Sequence, residues 1–484
     1  MKKTIIFVVL FLATIPTFSQ VSSPLSNQSG ARGEASSPYS GEQGVGLLSL
    51  QQLKDSALRN NIAIRNAEHD IDAAHQQRKE AFTKYFPSVS GTALTFNANR
   101  GMAKMNIDPQ EYIPSSMAAM LSQMLPAEAL MALSSPISMS MMKNGTIASL
   151  MAMQPVFAGG QIVNGNRLAR VGEDVSQLQM QLKEQEVERQ TEQYYWQLVS
   201  LQEKKRTLDA VDTLLANIYK DVEVAVRAGV ALRNDLLQVE LRQNDIASQR
   251  LKLENGIFIV KQLLGQFCGL NSLAPSSGGE RMSYAFDIVV PNMNLQDPTL
   301  PSLLEEESGV TLLPEYQLLQ QQVKATDLQR KMEIGKNLPT LAVGAGYNYH
   351  NLMDNDRTFA MLFATVTVPI SDWWGGSHAI KRRTIEHQKA VEQLEDNTQL
   401  LQIRMQNAYN AVVESHQQLQ LAQRGIEQAE ENLRLNRDYY RAGTSTMNAL
   451  LEAQLLYQQA QDKRTDAYAN LQSSLLDYRQ ATGK

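Results

Sequence analysis

The chain has 484 residues, too many for one ordinary core, so several domains or an elongated shape are expected. A net charge of −5 gives no support for nucleic-acid binding. One cysteine, Cys268, excludes an intrachain disulfide framework and a cysteine-ligated zinc site, and its apolar setting reads as a buried, inert thiol.

Lys2 and Lys3 precede an apolar run from Ile5 to Phe18, with the small residue Ser19 behind it. Residues 1–19 therefore read as a secretory signal. The run is shorter than the ~18–20 apolar residues that span a bilayer. The mature chain is expected to begin near Gln20, outside the cytoplasm. No cysteine stands at the cut to take a lipid. No later stretch reads as a transmembrane helix, so membrane entry would require a β-barrel.

Residues 20–46 are rich in Ser, Gly, Pro and Asn and read as a flexible leader. From Ser49 to Lys84, Leu50, Leu53, Ala57, Leu58 and Ile62 recur at helical spacing, and Pro87 ends the run. Residues 88–97 alternate as a strand, and 146–155 give a second. Between them lies an irregular insert. Eleven of the 20 methionines fall between Met102 and Met153. A long helix is expected over 160–228 and a return helix over 232–267. Residues 271–310, with four prolines and two adjacent glycines, form a connector.

The plan then repeats. A helix runs from about Pro314 to Lys336. Strands cover 340–350 and 358–369, with Asn351 to Arg357 as the turn. A long helix covers 376–442 and a return helix 446–482. Pro155 to Gly229 spans 74 residues, and so does Pro369 to Gly443. Gly229 to Gly269 spans 40, and so does Gly443 to Gly483. Equal spacings in two halves mark an internal duplication, with repeats at 47–270 and 311–484.

A helix of 65–69 residues is ~100 Å long. Leu198, Leu201, Leu208, Val211, Leu215, Ile218 and Val222 form a heptad seam. Leu419, Ala422, Ile426, Ala429, Leu433, Asn436 and Tyr440 form another. Each return helix is about half as long as its partner, and the helix before the strands matches the other half. Stacked end to end, two short helices pair with one long one. Strands would sit at one end of the rod and the two Arg-Ala-Gly turns at the other. Four strands with open edges need partners. The fold class read here is mainly α, with a membrane β-barrel portion built from a duplicated helix-strand-strand-long helix-helix unit. Tyr347, Tyr349, Phe359, Phe363, Trp373 and Trp374 would be interfacial aromatics.

The duplicated plan, the glycine pairs at the strand-to-helix entries after Pro155 and Pro369, and the turns ending at Gly229 and Gly443 resemble the TolC-like outer-membrane efflux protein family. The resemblance covers about Leu47 to Gly483. It implies a homotrimer whose strands close a twelve-stranded barrel in outer-membrane lipid, above a trimeric α-helical barrel in the periplasm. It also implies two partners, a periplasmic adaptor (membrane fusion) protein and an inner-membrane pump, and no enzyme activity or cofactor. Adaptor docking carries over to Gly229, Val230, Gly443 and Thr444. The periplasmic constriction carries over to Asp235, Gln238 and Glu452, with Asn448 beside Ala449. Ala449 departs from the family, which can carry a second acid there. Three copies of Asp235 and Glu452 would make acidic rings. The alternative is that Asp235 supports a helix N-terminus. Arg227, Arg233 and Arg441 would tie neighbouring tips through those carboxylates.

The implied function is a passive exit duct for small molecules. Alternatives are a heavy-metal (copper-type) or polypeptide export channel, or a structural coiled-coil envelope protein without a pore. Thioethers such as Met139-x-Met141-Met142 suit Cu(I), but an enlarged outer loop explains the same residues. No phosphate loop, nucleophile elbow or zinc-protease motif is present, and the six histidines are scattered.

Overall fold

A computed structural model describes residues 46–101, 103–108, 113–126, 128–129, 131, 135, 137–142, 144–270, 273–275, 282–284, 286–291, 309–352, 355–370 and 372–483. The signal, nearly all of the leader and most of the connector lie outside them, as do the side chains of Trp373, Met139 and Met141. Gly46, read as leader, instead opens strand β1 (Gly46–Leu48).

Ser49 caps α1 (Leu50–Asn60) in a reciprocal box with Gln52. The single helix expected from Ser49 to Lys84 is broken at Asn61. Asn61 is extended (φ −65°, ψ 134°) and begins α2 (Ile62–Thr83). Its Oδ1 accepts from the N–H of Ala63, and its Nδ2 donates to the carbonyl of Phe267 at 2.9 Å. Two demands on one side chain, local capping and a distant carbonyl, explain the break.

β2 (Ser88–Asn97) leads to an insert with more structure than expected. β3 (Ala103–Ile107) pairs with β4 (Ile137–Met141), and α3 (Ser115–Met124) lies between them in sequence. β5 (Asn144–Ala158) runs past Pro155 because a bulge there absorbs the proline. α4 (Gln161–Arg227, 67 residues) and α5 (Arg233–Phe267) complete the first repeat. β6 (Leu273–Pro275), β7 (Met282–Tyr284) and β8 (Phe286–Ile288) lie in the connector, and β8 pairs in parallel with β1. The second repeat holds α6 (Pro314–Lys336), β9 (Thr340–Leu352), β10 (Asn355–Thr367), α7 (Asp372–Arg441, 70 residues) and α8 (Met447–Thr482). The turn between β9 and β10 is shorter than expected, because both strands extend into it.

The short helices stack as their lengths require. α1, α2 and α5 pack along α4, and α6 and α8 pack along α7. α5 meets α1 where Gly269 (φ 63°) touches Asn60, and α8 ends at Gly483 (φ 72°) beside Leu313. Around the first junction Leu53, Ala57, Leu198, Val199, Leu264, Phe286 and Ile288 form a buried core. Cys268 lies in that core, where burial pushes its thiol up to about 12, so it is inert.

The four long strands form one antiparallel sheet in the order β10-β9-β5-β2. The expected hairpins are thus joined through β5 and β9. The register puts Val89, Ala93, Ala148, Leu150, Val343, Ala345, Tyr347, Leu362 and Val366 on one face, whose single charge is Asp356 at the hairpin end of β10. Leu362 on this face is 87% exposed. The other face carries Ser90, Thr92, Ser149, Asn348 and His350. Phe359 and Phe363, grouped above with Tyr347 and Tyr349, lie on this second face. The Phe363 ring fills the space left by Gly344, and Phe359 meets His350 edge-on. β2 and β10 are the edge strands, and neither has a further strand paired to it among the described residues.

Candidate gating and docking site at the helix tips

α4 and α7 end in matching turns. Gly229 has φ 76° and Gly443 φ 70°, a left-handed conformation that glycine adopts without strain. A Cβ at either would meet nothing within 4 Å, so backbone geometry alone calls for glycine there. The N–H of Val230 donates to the carbonyl of Ala225 at 3.0 Å, and that of Thr444 to Tyr439 at 2.9 Å. These bonds close the helix ends. The docking candidates Gly229, Val230, Gly443 and Thr444 are all exposed. Val230 is 81% exposed and Leu232 70%, an apolar pair at the end of the rod.

One apolar cluster holds both tips together. Leu208, Val211, Leu215, Ile218 and Val222 from α4 meet Val239 and Ile246 from α5, and Met447 and Leu450 from α8. The first heptad seam from Leu208 to Val222 is thus the buried centre of the tip bundle, while Leu198 lies in the junction core above it.

The constriction candidates separate in role. Asp235 accepts from the N–H of Leu232 at 3.3 Å, across the first turn of α5. It therefore does the helix-end work read as its alternative role. Its charge also reaches Tyr440 of α7, whose hydroxyl is raised by burial first and by Asp235 second. The Gln238 Oε1 is buried without a hydrogen-bond partner among the described residues. Asn448 and Glu452 are exposed on α8, and Ala449 donates its N–H to Oγ1 of Thr446 at 3.3 Å.

The arginines take other partners within the chain. Arg227 pairs with Glu223 at 2.6 Å on its own helix. Arg441 pairs with Asp221 of α4 at 3.2 Å, joining the two tips. Arg233 is exposed and pairs with no carboxylate among the described residues. None of the three touches Asp235 or Glu452 in one chain.

Asp221, Tyr219 and Tyr440 were not legible as tip residues. The Tyr219 hydroxyl donates to Glu240 at 3.3 Å, across the α4–α5 hairpin. Their signal was position alone: each lies within three turns of a tip glycine. Above the tips, a groove of about 680 Å³ runs between α7 and α8, lined by Ala422, Gly425, Ala429, Leu456 and Ala460. Among the described residues no cluster of three or more His, Cys, Asp or Glu could hold a metal. No described helix is long and apolar enough to cross a membrane.

Residues 314–484 match the model of the family described as outer membrane efflux protein. The fold resembles solved outer-membrane channels. CusC superposes with a TM-score of 0.72 at 14% identity, over 92% of this chain and 95% of that one. OprN gives 0.70 at 14% identity, over 90% and 89%. CmeC of Campylobacter jejuni gives 0.68 at 15% identity, over 90% and 85%. No curated protein matches the chain by sequence.

Proposed function

We propose that this chain, whose residues 314–484 match the outer membrane efflux protein family model and whose fold resembles solved outer-membrane channels, is the exit duct of a tripartite export system. The observation that carries the reading is the sheet. One face is largely apolar, with Asp356 at the hairpin end as its single charge, and neither edge strand has a further partner among the described residues. Water does not favour that face, and lipid does not tolerate those edges. Three chains contributing four strands each would remove every edge and close a twelve-stranded barrel. The seryl, threonyl and histidyl face would then line its lumen.

The α4–α5 and α7–α8 hairpins would continue the duct into the periplasm. The tips would form its inner end, where Val230 and Leu232 offer apolar contact to a periplasmic adaptor and Asp235 and Glu452 ring the opening. The duct itself performs no chemistry. Cargo would pass down a gradient set by an inner-membrane pump.

The test is single-channel conductance of the detergent-extracted oligomer in a planar bilayer. Discrete steps blocked by multivalent cations from the tip side are expected. Silence in wild type and in an Asp235→Asn/Glu452→Gln variant alike would leave a coiled-coil envelope protein as the reading.

A further inference from the structure

The second face of the sheet carries thioethers as well as hydroxyls. The register pairs Met151 with Gly346 and Gly346 with Met361, so one row across β5, β9 and β10 reads Met-Gly-Met. The next row reads Met153, Gly344 and Phe363. Gly344 and Gly346 stand two residues apart on β9 and share this face. Together they floor a trough, with the methionines of β5 as one wall and Met361 and Phe363 of β10 as the other.

The two rows are filled differently. The Phe363 ring takes the place of a Cβ at Gly344, so that row is closed. A Cβ at Gly346 would stand 3.3 Å from Cγ and 3.7 Å from Sδ of Met361, and 3.4 Å from Nδ2 of Asn348. That Nδ2 is buried without a hydrogen-bond partner among the described residues. Turned about its last torsion, the amide would present Oδ1 to the same gap. Neighbouring strands lie ~4.8 Å apart, so Met151 and Met361 stand roughly 10 Å apart at Cα, across the glycine. Leaning inward over it, the two side chains can bring their sulfurs to one small ion. A side chain at the middle position would hold them apart.

The donors select the ion. Thioethers are neutral and soft, and no carboxylate lies on this face among the described residues. Such a set does not suit magnesium or calcium, which take oxygen ligands, and suits a soft monovalent cation. Gap-filling alone does not account for the row, because Phe363 shows how this sheet closes a glycine gap, and no ring does so over Gly346.

We propose that Met151 and Met361 bind one soft monovalent cation, Cu(I) or Ag(I), over Gly346, with Met153 beside them in the next row. This site is separate from the exposed methionines of the insert, such as Met117 and Met120 on α3. The inference goes beyond the duct reading, and binding does not depend on it.

The experiment uses the purified full-length oligomer in detergent. Cu(I) affinity is measured by competition with a chromophoric chelator, and X-ray absorption at the copper edge identifies the ligands. Wild type is compared with Met151→Leu/Met361→Leu and with an insert control, Met117→Leu/Met120→Leu. Leucine conserves the volume of methionine, so assembly and melting temperature are expected to hold. The strand variant is expected to bind roughly tenfold more weakly or worse and to lose sulfur ligands, while the insert control keeps both. Gly346→Ala keeps every thioether, puts a methyl in the gap and should weaken binding severalfold. Equal affinity in wild type and the strand variant, or loss in the insert control alone, overturns the site. Should the double variant fail to assemble, Met361→Leu and Gly346→Ala decide on the same terms. Ag(I) in nitrate solution should also lower the current of the conducting wild type and spare the strand variant. Methionine-dependent binding that leaves the current unchanged supports the site and turns this face away from the pore. Wild type that binds but never conducts supports the site and sinks the duct reading alone.

Discussion

Gly159 and Gly335 touch backbone to backbone. A Cβ added to either would drive into the other's carbonyl oxygen. Gly159 stands where β5 turns into α4, and Gly335 lies in the last turn of α6, so the contact locks one repeat's sheet-to-rod joint against the other repeat's helix. Gly335→Ala is expected to cost about 1–3 kcal/mol through this clash alone. Gly159→Ala should cost more, because its φ of 58° adds strain. Gly172→Ala, at a helical site open within 4 Å, should instead stabilise by roughly 0.5–1 kcal/mol. Denaturant midpoints of the solubilised protein decide the matter, and equal midpoints for the three would refute the lock.

Asn61→Ala removes a helix cap and strands the carbonyl of Phe267. The expected loss is about 2 kcal/mol. Asn61→Asp keeps the cap but cannot donate to Phe267, so its loss should be nearly as large. Thermal unfolding followed by circular dichroism reads both.

Asp235 combines a charge with a capping oxygen. Asp235→Asn should reduce cation selectivity and leave stability within about 0.5 kcal/mol of wild type. Asp235→Ala should reduce selectivity equally and also cost about 1 kcal/mol. Reversal potentials under a salt gradient, read beside melting curves, separate the two contributions.

Val230 is the most exposed apolar residue of the first tip. Val230→Asp should leave the oligomer, its melting and its conductance unchanged, while export of a fluorescent dye from cells relying on this chain falls at least severalfold. Undiminished export would place adaptor docking elsewhere.

Asp462 of α8 has its carboxyl pushed up to about 6, by burial first; Lys204 of α4 opposes the rise and Asp466 adds to it. The folded value lies above the ordinary value of 3.8, so the contribution to stability is present below about pH 4 and is lost as pH rises through about 6. Asp462→Asn should therefore raise the melting temperature at pH 7.5 and bring little change at pH 4. A shift of equal size at both pH values would show that the side chain acts through packing rather than charge.

Much of the architecture was legible because it is periodic. Leu208, Val211, Leu215, Ile218 and Val222 announce their burial by spacing, and all five lie in the tip core. The paired glycines announce the turns because only backbone geometry selects them. Contacts between distant segments were not legible. Arg441 meets Asp221 across 220 residues of sequence. Nothing local distinguishes that carboxylate from Asp212 or Glu223. The break at Asn61 depends on Phe267, and the pairing of β5 with β9 depends on how two repeats face each other. Phe363 read as an interfacial aromatic because composition does not reveal which strand face a ring takes; Gly344 opposite it decides.

The edge strands β2 and β10 bear on inheritance as well as on shape. In the proposed trimer, a sheet complete only in threes would have no use for a surplus single copy, so each working unit would draw three times from the same pool. A defective chain that still joins the ring would spoil every ring it enters. With equal amounts of sound and faulty chains, roughly one ring in eight would be free of damage. A single bad allele beside a good one would therefore remove most of the activity.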